Sequence, residues 1–240
     1  LWGSQAIGGV VNIVTAAPPT PFSSSNDAEA GARKTGYLRA GVGGASDKIV
    51  WRVAGGYYTT DGFSAYKPGK EKDGYQNAGL SGRLRVALAE NVSAEVRSVY
   101  SKGKNDFDGF NVDSSEFGRT EELVIYTGLN FGLLDGRWNN RVGYAVALTF
   151  DAAGKNKRWE YQGVFAITET VSATFGAETE KARMRTRSPS VSKPNPDFAT
   201  GKVGVDSVYG QLQAEVVPGL TLTAGPGPRG DVRRRAAGRC

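Results

Sequence analysis

The chain of 240 residues contains no histidine, a single cysteine (Cys240) and a single methionine. Without histidine the commonest general base and the commonest metal ligand are both missing. The abundant serines therefore have no histidine to activate them, and the usual nucleophilic triad is excluded. One cysteine at the very end can build neither a disulfide framework nor a thiolate metal centre. The glycine groups Gly8-Gly9 and Gly41-Val42-Gly43-Gly44 open no phosphate loop, because no Gly-x-Gly-x-x-Gly or Gly-Lys-Ser/Thr pattern follows. Enzymatic chemistry is accordingly not expected. No run of about 18 apolar residues exists, so no helix of this chain can cross a bilayer. Strands that cross with alternating side chains escape that criterion.

What the chain does have is glycine, at 33 residues, and aromatic side chains, at 10%. Glycine with Tyr, Trp and Phe in a strand-rich sequence suits a barrel wall. The formal net charge of +6 is unevenly placed. Residues 226–240, with Arg229, Arg233, Arg234, Arg235 and Arg239 against Asp231, hold most of it, and the remainder is near neutral. A nucleic-acid face is therefore not expected. This atypical basic tail departs abruptly from the strands before it. Pro226 and Pro228 cannot serve a central ladder, and the Arg/Gly/Pro/Ala mixture fits a shifted reading frame. A genuine basic tail that binds anionic lipid or nucleic acid is the other reading of the same residues.

From about residue 27 onward the polarity alternates with period two. About eleven strands are expected, near 27–32, 36–44, 48–60, 76–89, 92–102, 120–133, 137–151, 156–168, 171–181, 203–217 and 219–225. Period two puts Ile49, Trp51, Val53 and Tyr57 on one face and Arg52, Ala54 and Gly56 on the other. It likewise opposes Leu84, Val86 and Leu88 to Arg83 and Arg85. Val92, Ala94 and Val96 oppose Glu95 and Arg97. Val142, Tyr144 and Leu148 oppose Arg141, while Trp159, Tyr161 and Phe165 oppose Arg158, Glu160 and Gln162. Leu212 and Val216 oppose Gln211, Gln213 and Glu215.

A soluble sandwich alternates too, but three features favour a bilayer. Several candidates exceed the usual strand length of about 5–6 residues and reach the roughly 9–11 that a tilted crossing needs. Aromatics such as Trp138, Phe150 and Trp159 sit at strand ends on the apolar face. Short connections alternate with long ones near 61–75, 103–119 and 182–202.

The first fifteen residues, LWGSQAIGGVVNIVT, combine glycine turns with a short apolar run. The segment Trp2-Gly3-Ser4-Gln5-Ala6-Ile7-Gly8-Gly9-Val10-Val11-Asn12-Ile13 closely resembles the end of the plug domain of TonB-dependent outer-membrane receptors. Gly3, Ser4, Ala6, Ile7, Gly8, Gly9 and Asn12 carry that motif. Residues 16–26, rich in proline and serine, fall where that family passes from plug to barrel. Asp61-Gly62-Phe63, Asp73-Gly74-Tyr75 and Ser207–Gln213 resemble the cobalamin-receptor branch.

The resemblance implies an all-β fold: a partial antiparallel transmembrane β-barrel, about eleven of roughly 22 strands, preceded by the last strand of a plug. The implied divisions are 1–15 for the end of the plug, 16–26 for a linker, 27–225 for the first half of the barrel and 226–240 for the tail. It further implies active uptake of a scarce ligand such as an iron–siderophore or cobalamin, energised through the TonB complex, in the outer membrane of a Gram-negative bacterium. A passive porin-like or adhesin-type barrel and a soluble β-sandwich binding module are the alternatives. Leu1 starts in mid-motif, so these residues read as the interior of a longer protein. On its own the chain is expected to be inactive and not to insert stably.

Two sets of polar residues are candidate sites. The inward Arg52, Arg83, Arg85, Glu95, Arg97, Arg141, Glu160 and Glu215 either contact the plug across a wet lumen or line a permeation path. Asp106, Asp108 and Asp113 place three carboxylates in eight residues. They could hold calcium, as the resemblance to cobalamin receptors also suggests, or form an ordinary solvated loop. No other metal or cofactor is expected.

Overall fold

A computed structural model describes residues 21–64, 66–67, 69–110, 112–150, 153–186 and 199–225, together with the backbone of 229–236. The motif residues Gly3, Ser4, Ala6, Ile7, Gly8, Gly9 and Asn12 lie outside the described residues.

Alternating sequence becomes one continuous antiparallel sheet. Its strands are β1 (Ser23–Gly31), β2 (Thr35–Ala45), β3 (Ile49–Phe63), β4 (Asp73–Ala89), β5 (Val92–Gly109) and β6 (Val112–Leu133). They continue as β7 (Trp138–Thr149), β8 (Gly154–Ala166), β9 (Val171–Thr186), β10 (Ala199–Val217), β11 (Leu220–Ala224) and β12 (Arg229–Ala236). Strands β1 to β11 pair in sequence order, each with its neighbour, and β12 pairs with β10 beyond the end of β11.

All eleven expected strands are present, but several are longer than the alternation indicates. β5 and β6 run to Gly109 and from Val112, so most of the expected 103–119 loop is a hairpin. Those residues carry charge on both faces (Lys104, Asp106, Glu116, Arg119). Where both faces are wet, the polarity contrast that marks a strand disappears. β9 and β10 extend in the same way into the expected 182–202 loop. β1 already begins at Ser23, inside the expected 16–26 linker, pairing Ser23 with Gly43 and Asn26 with Ala40. In the tail, Arg229–Ala236 continues the ladder opposite Gly201–Val208.

The turns explain the connections. Arg33 and Lys34 both adopt positive φ (59° and 53°), and the Thr35 N–H donates to the Ala32 carbonyl at 3.1 Å. Two such residues make the tight hairpin whose twist matches its strands, which is why this link is short. Gly62 has φ +64° at the shift in β3–β4 register, and any Cβ there would collide with the Asp73 carbonyl.

Among the described residues no apolar side chain is buried. The buried side chains are Ser93, Glu95, Asn140 and Ser207. Leu38, Val53, Leu80, Leu84, Leu88, Val96, Trp159, Leu212 and Val216 all stand exposed on one face of the sheet. Hydration of such half-exposed chains costs about 1 kcal/mol each. In water the whole face would consume the net stability of a domain, about 5–15 kcal/mol. A sandwich buries that face against a second sheet; this sheet has polar groups inside and apolar groups outside, as a barrel wall in lipid does. No helix among the described residues is long and apolar enough to cross a membrane, which says nothing of crossing by strands.

Candidate functional site

The inward face of β4 to β9 carries one connected set of charges. Glu95 is 5% exposed and lies between two arginines of adjacent register. Arg83 donates to its Oε2 through Nε at 3.2 Å and through a terminal nitrogen at 2.9 Å, and Arg97 pairs with Oε1. The Arg97 guanidinium lies 5.4 Å over the Tyr126 ring. The Tyr126 hydroxyl donates to Glu160 Oε1 at 3.3 Å. Arg158 bridges Glu160 Oε2 at 3.0 Å and Glu178 Oε2 at 2.8 Å. Arg141 approaches Glu160 at 3.6 Å and donates to Gln162 Oε1 at 2.9 Å.

The alternation placed Arg83, Glu95, Arg97, Arg141 and Glu160 on this face, and the structure joins them. Glu178 was not singled out, because only the β8–β9 register brings it beside Glu160. Glu215 stands apart and accepts the Gly219 N–H at 3.2 Å, closing the β10–β11 turn. Arg52 and Arg85 have no ion pair among the described residues.

At the short-turn end this wall forms a trough of about 710 Å³, lined by Arg83, Arg85, Glu95, Arg97, Arg141 and Gln162 among others. Arg83, Arg85, Arg97, Arg141 and Lys48 against Asp47, Glu90 and Glu95 leave its lining net positive. The wall is packed by close approach. Tyr209 lies across Gly176 of the neighbouring strand so tightly that a Cβ there would overlap the ring. Glycine beneath an aromatic side chain is a recognised device for holding sheet curvature.

The second polar set lies at the opposite, long-loop end. Glu71, Asp108 and Asp113 bring carboxylate oxygens within 4.8 Å of one another. Asp108 accepts the Tyr66 N–H at 2.7 Å, the Ser64 hydroxyl at 3.2 Å and the Ser114 N–H at 3.1 Å. Burial would raise its pKa, but these donors outweigh burial and hold it below the ordinary carboxylate value. Asp113 accepts the Lys70 N–H at 2.9 Å. Glu71 is pushed up, first by burial and then by Asp73, Asp108 and Asp113. Its Oε2 is buried without a hydrogen-bond partner. Asp106 does not join the cluster and pairs with Lys104 at 2.7 Å. Glu71 was missed because it reaches the site only by docking of the β3–β4 loop on the β5–β6 hairpin.

No protein-family model matches the chain. A vitamin B12 transporter (BtuB) of Photobacterium profundum is 31% identical over 113 residues, covering 45% of this chain and 18% of that transporter. Among solved structures, the siderophore receptor PirA of Acinetobacter baumannii superposes with a TM-score of 0.70 at 15% identity, over 97% of this chain and 44% of that one. A mutant of the ferric enterobactin receptor PfeA of Pseudomonas aeruginosa, in complex with enterobactin, gives a TM-score of 0.65 at 16% identity, over 96% and 44%. The ferripyoverdine receptor of the Pseudomonas aeruginosa outer membrane gives 0.62 at 14% identity, over 93% and 39%. The chain therefore spans less than half the length of these relatives, which are transport receptors and not enzymes. The chain thus has the fold of part of a siderophore-receptor barrel and, over 113 residues, is similar in sequence to a vitamin B12 transporter.

Proposed function

We propose that this chain forms the wall of an outer-membrane receptor that imports a scarce ligand of the siderophore or cobalamin class, with energy delivered through the TonB complex. One observation carries the reading: the sheet is polar and ion-paired inside, apolar outside, and otherwise without a core. Such a wall needs lipid on one side and a hydrated or protein-filled lumen on the other. The plug motif of residues 1–15 favours a filled lumen, because a passive porin has no such segment. Contact with a plug is then the role of the luminal network, with Glu95 and Glu160 presenting fixed charge and the trough presenting arginines. The apolar outer face and the barrel likeness weigh against a soluble sandwich.

The test is uptake. A gene encompassing this segment is expressed in a Gram-negative host lacking its own receptors, with ferric siderophores or cobalamin as the limiting nutrient. Rescue that depends on TonB is expected. Rescue that persists without TonB would favour the passive pore, and no rescue with any ligand of either class would overturn the reading.

A subordinate proposal concerns the loops. Calcium, an oxygen-seeking ion, suits Glu71, Asp108 and Asp113, and the unpartnered Glu71 Oε2 favours it.

A further inference from the structure

At the short-turn end of the wall the inward side chains of four neighbouring strands stand in one row. Register places Ser93 on β5 opposite Asn130 on β6, Asn130 opposite Arg141 on β7, and Arg141 opposite Gln162 on β8. All four line the trough of about 710 Å³. Directly opposite side chains of an antiparallel pair lie about 4.5–5.5 Å apart, so the row is one connected polar strip.

Two members of that row are satisfied and two are not. Arg141 donates to Gln162 Oε1 at 2.9 Å and approaches Glu160 at 3.6 Å. Ser93 is only 7% exposed, yet its hydroxyl makes no hydrogen bond among the described residues, and neither does the Asn130 carboxamide. Buried polar groups ordinarily have partners. An enclosed hydroxyl that opens onto a cavity without one calls for a partner from outside the wall.

A free cation stands beside them. Register puts Arg85 directly across from Glu95. Both carboxylate oxygens of Glu95 are already taken, Oε2 by Arg83 and Oε1 by Arg97. Arg85 therefore stays exposed in the lining of the trough, with no ion pair among the described residues. It lies one same-face step along β4 from Ala87, the residue opposite Ser93. The other acids of the lining, Asp47 and Glu90, belong to the turns below the row. Residues 1–26 contain no acid, so the N-terminal segment of this chain cannot supply the missing charge.

We propose that Ser93, Asn130 and Arg85, with Arg141 at the far side, form a binding site for a small polycarboxylate. Arg85 offers a planar fork to one carboxylate. The Ser93 hydroxyl and the Asn130 N–H groups donate to another. A volume of about 710 Å³ suits a small molecule and exceeds what a single phosphate fills, which favours an ion with several anionic groups. Short turns face the periplasm in such barrels, so the site lies where a ligand would leave the lumen. Its role as an exit station rests on the import reading above; the binding of a polycarboxylate does not.

The test uses a longer protein encompassing this segment, purified in neutral detergent, with tricarballylate as the probe and equilibrium dialysis as the readout. The neutral trimethyl ester and inorganic phosphate are the comparison arms. Wild type is expected to bind tricarballylate at least about tenfold more tightly than phosphate and to ignore the ester. Arg85→Gln should weaken binding about tenfold and Ser93→Ala about fivefold. Arg119→Gln removes the same charge from the long-loop end and should bind as wild type. No binding of tricarballylate, equal binding of the ester or of phosphate, or an equal loss in Arg119→Gln would each overturn the proposal. Urea unfolding gives an independent reading. Without ligand Ser93→Ala should unfold no earlier than wild type, because it removes a buried hydroxyl that has no partner. Tricarballylate should raise the midpoint of wild type and leave that of Arg85→Gln unchanged. A midpoint lowered by Ser93→Ala without ligand would show that a side chain of the protein itself already holds the hydroxyl, and would overturn the site. Lost probe binding with intact TonB-dependent rescue strikes this site alone, and intact binding without rescue strikes the import reading alone.

Discussion

The Arg97 guanidinium lies 5.4 Å over the ring of Tyr126, and this contact joins the Glu95 and Glu160 charge groups into one luminal network. The network crosses the sheet from β4 to β9, so a change at one carboxylate is felt by strands far apart in sequence.

Glu95 is the most enclosed charge of that network, held by Arg83 and Arg97. Removing one partner of such a group leaves the others uncompensated, at a cost of about 3–5 kcal/mol when fully buried. Arg97 is half exposed, so Glu95→Gln is expected to cost about 2 kcal/mol. Urea unfolding in detergent checks this, and the double variant with Arg83→Gln should recover part of the loss. An unchanged midpoint would show that the luminal ion pairs add nothing to stability.

Tyr209 covers Gly176 at a distance that leaves no room for a side chain. Gly176→Val should displace the ring and destabilise the sheet by about 1–3 kcal/mol. Gly210, which has open space around its Cβ position, provides the control. Gly210→Ala should leave the unfolding midpoint nearly unchanged, and equal effects at the two sites would refute the packing account.

For the loop carboxylates, calorimetric titration with calcium is expected to show binding that Glu71→Gln abolishes and Asp106→Asn leaves intact. Asp106 is already satisfied by Lys104, whereas Glu71 is the member with an unpartnered oxygen. Binding lost equally in both variants would indicate diffuse charge attraction rather than a site.

The two faces were legible in the sequence because apolar and polar residues alternate with strand parity. Leu84 and Arg85 needed only strand parity to be placed, and Glu95 and Arg97 likewise. The upper part of the β5–β6 hairpin was not legible, because Lys104 and Glu116 meet water on either face and polarity no longer reports direction. Glu71 and Glu178 escaped for another reason. Each acquires its partners through pairing of separate strands or loops, and Tyr66 and Asp108 meet across 42 residues of chain. Ser93 and Asn130 were visible as residues, but their opposition across β5 and β6 exists only once the register is known.

The account depends on which solvent each face of β4 meets, and spin-label accessibility measures that directly. Single cysteines are introduced at positions 80 to 88 of a longer protein encompassing this segment, in a Cys240→Ser background, and labelled in lipid bilayers. Collision with oxygen should peak at positions 80, 84, 86 and 88, and collision with a water-soluble nickel chelate at 81, 83 and 85. Accessibility that fails to alternate, or the opposite phase with Leu84 reached by nickel and Arg85 by oxygen, would contradict a wall with lipid outside and charge within.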